Sequence, residues 1–364
     1  MSRSTGASLE RSGYFVSITA GVLTVLCAFG WARRLYGDRI GLLAGSFAAI
    51  SPYAVRSSVE IKSDALYTLL FVATAWVGYR AFERRSLPWG IAAGIGTALA
   101  YYCRPEGVGL LVVLAVWFFI GRREEWSARP IRKAALVVAP ALVWLVLASP
   151  YLIFLKSDQG GIAITQKKDL RKLLTMERMD ARDLQWQDVG GGVPKSLETE
   201  PGSSEVDRGF RIHVPYLAEA DYLFARLISG YNEFFGLLLL VAFFAPGRGG
   251  PPWRWVAIRR DRVPPWGKAD LFVASFLGVY LPSFYALTVA QGTVSRRYLV
   301  SLSILALPWA AIGFLHVSRF IASRIAARTP LSLERAAFGT AAVLILFLSL
   351  AMGAKGMKSR GKHE

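Results

Sequence analysis

The chain has few of the residues that build disulfide frameworks and metal sites. Its 364 residues include 2 cysteines and 3 histidines. Both cysteines, Cys27 and Cys103, fall within apolar segments, so the sequence excludes a disulfide-rich fold and a thiolate metal centre. The histidines are scattered and form no ligand pair. Acidic residues are also scarce, because 25 aspartates and glutamates stand against 43 lysines and arginines, which leaves a formal net charge of +18.

An excess of basic residues is typical of nucleic-acid-binding proteins, but its distribution here indicates a membrane protein. Hydrophobic residues make up 54% of the chain. They form continuous runs of roughly 17–25 residues, the length that crosses a bilayer core. Continuous rather than alternating runs favour helices over a β-barrel. The arginines lie in short loops between the runs, as the positive-inside rule describes. We therefore expect membrane lipids, and no nucleic acid, as partners of these loops.

The pattern predicts an all-α fold, a polytopic transmembrane helical bundle of about ten spans. The predicted spans are 14–31, 40–56, 65–82, 89–103, 107–121, 134–155, 228–245, 270–290, 298–317 and 336–353. Strongly basic loops follow the odd-numbered spans and are placed in the cytoplasm, so the remaining loops face outside. We predict a six-span part at 1–155, one long extracytoplasmic loop at 156–227 with short helices at 166–183 and 216–229, a four-span part at 228–353 and a basic tail at 354–364.

Four short charged clusters lie at the ends of the apolar segments. They occupy residues 60–64, 104–107, 232–233 and 296–298. Charges at a membrane boundary are costly beside hydrocarbon, so such clusters indicate a site or a pathway. All four fall on the predicted outer side. We therefore expect them to line one extracytoplasmic cavity that handles a phosphate-linked lipid.

Several strings in and around these clusters resemble a known family. They are R-R-L-Y-G at 33–37, S-D-A-L at 63–66, Y-Y-C-R-P-E-G at 101–107 and R-R-Y-L at 296–299. Their order is similar to that in polyprenyl-phosphate-sugar glycosyltransferases of the GT-C class. These family 39-like membrane enzymes are related to protein O-mannosyltransferases and to the lipid A aminoarabinose transferase. The resemblance implies inverting transfer of a hexosyl or pentosyl group from a polyprenyl phosphate to a lipid, glycan or protein acceptor, outside the bacterial inner (plasma) membrane.

The chain departs from the family at its N-terminus. Family members begin with a transmembrane helix and an outer loop that carries an acidic catalytic residue, whereas this sequence starts where the next helix would start. We expect a truncated chain with little transferase activity by itself. The alternatives are an inactive relative, a partner subunit of a glycosylation complex, or a lipid or solute transporter. A transporter would show internal repeats and charges at mid-span, and the sequence shows neither.

Two carboxylates are the candidate catalytic residues. The resemblance favours a functional role for Asp64, although an acid at a helix start also stabilises the helix dipole. Glu60 lies four residues earlier, on the same face if the helix extends back. Together they are expected to position or deprotonate the acceptor, or to hold a divalent metal ion; the metal requirement stays open. Lys62 is a supporting residue that neutralises them.

The candidate donor-phosphate ligands are three arginines and a tyrosine, because guanidinium groups bind phosphate through two parallel hydrogen bonds. Structural alternatives remain for each: a local ion pair for Arg104 with the supporting residue Glu106, interfacial snorkelling for the 296–297 pair, and a helix-start role for Glu233. Trp31, Trp89 and Tyr280 are interpreted as interfacial anchors. The four phosphate-binding candidates are Arg104, Arg296, Arg297 and Tyr298.

Overall fold

A computed structural model of the chain describes residues 9–120, 130–159, 223, 233–244, 267–291, 296–328 and 332–360. Within these ranges the chain forms α-helices and one 3-10 turn at Pro105–Val108, with no strand. The helices are α1 Leu9–Tyr36, α2 Asp38–Ile50, α3 Pro52–Val59, α4 Asp64–Arg84, α5 Leu87–Cys103, α6 Gly109–Ile120, α7 Pro130–Gln159, α8 Glu233–Phe244, α9 Gly267–Gln291, α10 Arg296–Ala326 and α11 Leu333–Arg360.

The helices coincide with the predicted spans, except that the span at 40–56 is not continuous. It divides into α2 and α3 at Ser51, whose backbone is extended (φ −65°, ψ 116°). Pro52 causes the break, because it lacks the N–H that would continue α2 and its fixed φ suits the first position of a new helix. The helices predicted at 166–183 and 216–229 lie outside the described residues, Leu223 apart. At the C-terminus, α11 continues into the predicted tail as far as Arg360.

In the described part of the chain, five helical segments are long and apolar enough to cross a membrane. Two shorter apolar segments, Pro105–Trp117 and Ala336–Leu350, accompany them. The protein is therefore a multi-pass integral membrane protein, while the count of ten spans remains a prediction. The five long segments are Glu10–Tyr36, Asp64–Arg84, Ala134–Ser157, Ala269–Ala286 and Arg297–Ala326.

The first helices pack so that the start of α4 and the end of α5 lie together. Gly37 (φ +90°) makes the tight turn from α1 into α2. Helix α1 then lies beside α4 in the same direction, because Gly30 contacts Trp76 and Arg34 contacts Glu83. A two-residue connection at 85–86 returns the chain along α4 as α5. Asp64 and residue 104 therefore meet at one end of the bundle, and Arg34 and Glu83 at the other.

Two of the three aromatic residues predicted as interfacial anchors belong to the core instead. Trp31 is 0% exposed, and its indole Nε1 donates a hydrogen bond to the Leu305 carbonyl at 3.4 Å. Tyr280 is 4% exposed and packs edge to face against Phe71, with 5.2 Å between ring centroids. Hydropathy places an aromatic residue near a helix end but does not reveal whether it faces lipid or a neighbouring helix. Trp89 is half-buried, beneath two arginine side chains.

A half-buried carboxylate joins three helices that are far apart in sequence. Asp270 at the start of α9 accepts hydrogen bonds on Oδ1 from the Tyr36 hydroxyl of α1 at 2.5 Å and from Trp309 Nε1 of α10 at 2.8 Å. The same indole N–H lies 3.0 Å from the Tyr36 oxygen. An acceptor shared by two donors in an apolar bundle fixes the relative positions of the helices that carry them.

Replacement of Asp270 by Ala should lower the stability of the fold. The change leaves the Tyr36 hydroxyl and the Trp309 N–H without their shared acceptor, which costs about 1–3 kcal/mol. Thermal unfolding in detergent, followed by tryptophan fluorescence, measures the effect. Asp38→Ala is the matched control, because the Asp38 carboxylate is 73% exposed and pairs with Arg33 at the surface. Equal losses in both variants would contradict a structural role for Asp270.

Candidate functional site

The site is built around an ion pair between the end of α5 and the start of α4. Arg104 follows α5 in an extended conformation (φ −155°, ψ 134°), since Pro105 after it disfavours a helical residue. Its Nη2 donates to Asp64 Oδ1. Only 11% of the Arg104 side chain and 9% of the Asp64 side chain are exposed. Charges removed from water in this way require an opposite charge nearby, and here Asp64 and Arg104 neutralise each other.

Two tyrosine rings hold the Arg104 guanidinium in place. Its carbon lies 5.6 Å from the ring centroid of Tyr67 and 5.3 Å from that of Tyr298. These are cation–π distances, at which the ring quadrupole attracts the cation. Arg104 Nη1 is also buried, and among the described residues it has no hydrogen-bond partner. The guanidinium is thus oriented by three side chains while one of its nitrogens remains available as a donor.

The turn that follows Arg104 is packed too tightly for side chains at its glycines. A Cβ at Gly107 would lie 2.6 Å from the Tyr101 backbone nitrogen, and a Cβ at Gly109 would lie 2.8 Å from the Tyr280 hydroxyl oxygen. Close approach at Gly109 allows the Tyr280 hydroxyl to donate to the Glu106 carbonyl at 3.1 Å. Helix α9 therefore anchors the turn that carries Arg104.

Glu60 lies in a separate and more exposed ion cluster. Its Oε1 accepts from Arg56 Nε at 2.8 Å, and its Oε2 accepts from Lys62 Nζ at 2.8 Å. Partial burial raises the Glu60 pKa, but the hydrogen bonds from Lys62 and Arg56 outweigh this effect and hold the pKa below its usual range. Both cations are exposed, so these pairs are weak and are given up at low cost. The structure thus separates Glu60 from the Asp64–Arg104 pair.

The remaining predicted residues are only partly within the described structure. Arg297 is exposed at the start of α10, and Tyr298 beside it is half-buried against Phe284 and Arg104. The side chains of Arg296 and Glu233 lie outside the described residues. Within the described part of the chain, no group of three or more His, Cys, Asp or Glu side chains is placed to hold a metal ion.

Sequence reasoning missed two tyrosines of this site. Tyr67 lies one turn after Asp64 and is buried beneath Arg104, and Tyr280 reaches the site from α9. The spacing of Asp64 and Tyr67 places both on one face of α4, so a stacking role for Tyr67 was open to prediction. No comparable signal exists for Tyr280, since 174 residues separate it from Glu106.

Comparison with known proteins shows which family the site-bearing part of the chain is similar to. Residues 5–154 match the family model described as dolichyl-phosphate-mannose-protein mannosyltransferase. The match includes Glu60, Asp64 and Arg104. The family relationship predicted from the motifs is confirmed. Over residues 5–154 the chain is similar to this glycosyltransferase family. No curated protein sequence matches it.

Solved structures with a similar architecture include two of ArnT from Cupriavidus metallidurans. The apo form matches with a TM-score of 0.51 and 14% identity over 93% of this chain and 61% of that chain. The form bound to undecaprenyl phosphate matches with a TM-score of 0.49 and 14% identity, over 95% of this chain and 61% of that chain. An apo oligosaccharyltransferase from Archaeoglobus fulgidus matches with a TM-score of 0.43 and 16% identity, over 94% of this chain and 45% of that chain. The apo ArnT match confirms the predicted GT-C fold, and this chain spans about three-fifths of ArnT's length.

The interdependence of Arg104 and Asp64 predicts non-additive effects on stability. Arg104→Leu leaves Asp64 as an uncompensated buried charge and should destabilise the fold by about 3–5 kcal/mol. The double change Arg104→Leu/Asp64→Asn removes that charge and should recover much of the loss. Arg56→Leu is the control, because it breaks an exposed pair worth about 0–1 kcal/mol. Thermal unfolding in detergent of the original protein, Arg104→Leu, Asp64→Asn, the double variant and the control measures the coupling. Simple additivity of the two single changes would contradict it.

Proposed function

We propose that this chain is the membrane-embedded glycosyltransferase part of an enzyme that transfers a sugar from a polyprenyl-phosphate donor to an extracytoplasmic acceptor. One observation carries the proposal: Arg104 is buried and fixed, yet Nη1 has no partner among the described residues. A guanidinium group in this state fits a phosphate oxygen. The match to dolichyl-phosphate-mannose-protein mannosyltransferases supports a polyprenyl phosphate as the source of that phosphate.

Arg104 supplies the charge stabilisation that the reaction requires. In an inverting transfer, an acceptor oxygen forms a bond to the anomeric carbon while the bond from that carbon to the phosphate oxygen breaks. The electron pair of the broken bond remains on the phosphate, whose negative charge increases. A donor that is already aimed at the developing charge lowers the barrier without reorganisation during the reaction. Asp64, Tyr67 and Tyr298 give Arg104 this fixed orientation.

The geometry suggests different roles for the two candidate carboxylates. A base in an inverting transfer lies across the anomeric carbon from the leaving phosphate. Asp64 contacts the arginine that would bind this phosphate, so its role is to position Arg104. Glu60 is the candidate for the acceptor side, because its ion pairs with Arg56 and Lys62 are exposed and are broken at low cost. Release from both cations would also return its pKa towards the usual range.

The orientation of the bundle supports an outer location for the site. The Arg34–Glu83 contact and the basic loops after α1 and α4 lie at the end of α4 opposite Asp64 and Arg104. The positive-inside rule places the basic end in the cytoplasm and the Asp64–Arg104 pair on the outer side of a bacterial inner membrane. Arg297 is exposed near Tyr298, where it is available to meet the donor headgroup or the acceptor.

Removal of the Arg104 guanidinium should weaken binding of the donor lipid. A polyprenyl phosphate of defined length, titrated against the protein in detergent, should bind Arg104→Ala/Asp64→Asn about tenfold to a hundredfold more weakly than the original protein, because a charge-assisted bond to phosphate is lost. The double change avoids an unpaired Asp64. Arg104→Lys should bind the lipid better than the double variant but less well than the original protein, because lysine keeps the charge and lacks the paired N–H donors of a guanidinium group. Arg56→Ala is the charge-matched control, and wild-type affinity in the double variant would refute the phosphate site.

The two carboxylates should affect different kinetic constants. In the full-length enzyme, Glu60→Gln should lower kcat by about a hundredfold or more with little change in the KM for the donor, because general-base catalysis contributes about 10²–10⁴-fold. Asp64→Asn should raise the donor KM by releasing Arg104. Initial rates over a donor titration separate the two effects. Loss of kcat in Asp64→Asn with normal rates in Glu60→Gln would reverse the proposed roles.

A further inference from the structure

The end of the bundle opposite Asp64 and Arg104 carries a convergent pair of arginines on an aromatic surface. Arg80 and Arg84 lie one turn apart near the C-terminus of α4, and the guanidinium carbon of each is 5.9 Å from the Trp89 ring centroid. Arg80 is also 5.9 Å from the ring of Trp76. We refer to these four residues as the arginine–tryptophan patch. Stacking on a shared indole brings two like charges together, which is unfavourable without a counter-ion.

The acids described near the patch are occupied by other arginines. Glu83, on the same helix, accepts from Arg34 through both carboxylate oxygens at 2.6 and 3.1 Å. Asp38, at the same end of the bundle, pairs with Arg33 at 2.5 Å. In the part of the chain that the structure describes, no carboxylate forms an ion pair with Arg80 or Arg84. The patch therefore retains two positive charges.

A third unused donor lies within the patch. The Trp76 indole packs its benzene edge within about 3 Å of where a Cβ on Gly30 would stand. Its Nε1 is buried and finds no acceptor among the described side chains and backbone. Arg80 and Arg84 offer donors only, so the group that compensates their charges is an anionic acceptor.

The position of the patch identifies the kind of anion. Arg80 and Arg84 lie in the last two turns of the span Asp64–Arg84, at a membrane boundary, where phospholipid headgroups are the most concentrated anions. The half-buried apolar residues Ala73 and Val77 precede them on the same face of α4 and lead towards the interior of the membrane. Such a surface binds a phosphate and an acyl chain together. A soluble phosphate has no acyl chain and would leave the apolar part of the surface uncovered.

We propose that the arginine–tryptophan patch binds the phosphate headgroup of an anionic diacyl phospholipid in the leaflet opposite the Asp64–Arg104 pair. Arg80 and Arg84 contact the phosphate oxygens, while the Trp89 ring holds the two guanidinium groups next to each other. The acyl chains lie along Ala73 and Val77. This site is independent of sugar transfer, and it would exist equally in a protein without transferase activity.

Native mass spectrometry of the detergent-purified protein tests the site, with phosphatidylglycerol and phosphatidylcholine supplied at equal concentrations. The original protein should retain phosphatidylglycerol preferentially, and Arg80→Gln/Arg84→Gln should reduce this preference about tenfold or more. The charge-matched control is Arg319→Gln/Arg324→Gln on α10, whose arginines are exposed and should not affect the preference. Trp89→Leu keeps both charges and should weaken retention less than the double arginine change.

Four results would overturn the proposal. Equal losses in the two double variants would mean that diffuse positive charge attracts the lipid. Release of the lipid by millimolar glycerol phosphate would mean that a soluble phosphate fills the patch. Preference for a polyprenyl phosphate over phosphatidylglycerol at this patch would assign it to the donor. A severalfold gain of lipid in Glu124→Gln/Glu125→Gln would identify these two acids, which follow α6 in the sequence, as the counter-ions. The site is supported if, of the two double arginine variants, only Arg80→Gln/Arg84→Gln loses phosphatidylglycerol and none of these four results is observed.

Discussion

A guanidinium group placed at the edge of an apolar bundle must be neutralised, and in this chain Asp64 does so for Arg104. The requirement fixes the register of the α4–α5 hairpin, because the two charges meet only if the start of one helix lies beside the end of the other. It also explains the crowded turn that follows. Gly107 and Gly109 let the turn lie against α5 and Tyr280, so that the arginine backbone is held as firmly as its side chain.

Helix α4 presents opposite electrostatic situations at its two ends. At its N-terminus, the negative Asp64 suits the helix dipole and is matched by one cation. At its C-terminus, Arg80 and Arg84 suit the dipole as well, but among the described residues their charges are not matched by carboxylates. The first end is neutral as a unit, and one arginine nitrogen there has no hydrogen-bond partner among the described residues. The second is a net cation that depends on its surroundings for compensation.

The sequence predicted the helical bundle well because apolar length and loop charge are local properties. Asp64 and Arg104 were recognised as candidate site residues for the same reason, since each lies in a short charged cluster at a helix end. Their direct pairing was not predicted, because partners 40 residues apart leave no local pattern. The ion-pair alternative for Arg104 named its neighbour Glu106 instead. Tyr280 and Trp31 were misplaced at the interface, since hydropathy does not distinguish a helix-facing from a lipid-facing aromatic ring. The break before Pro52 had a local cause and was nevertheless overlooked.

The junction of Tyr36, Asp270 and Trp309 has a consequence for biosynthesis. Tyr36 leaves the ribosome well before its partner Asp270, which follows 234 residues later. At about 5–20 residues per second, this interval lasts roughly 10–50 s. During that time the α1 hydroxyl is inserted without its native acceptor, while α4 already has its partner α5. The N-terminal helices are therefore expected to assemble first around the Asp64–Arg104 pair, and the arrival of α9 and α10 completes the bundle as a separate, later step.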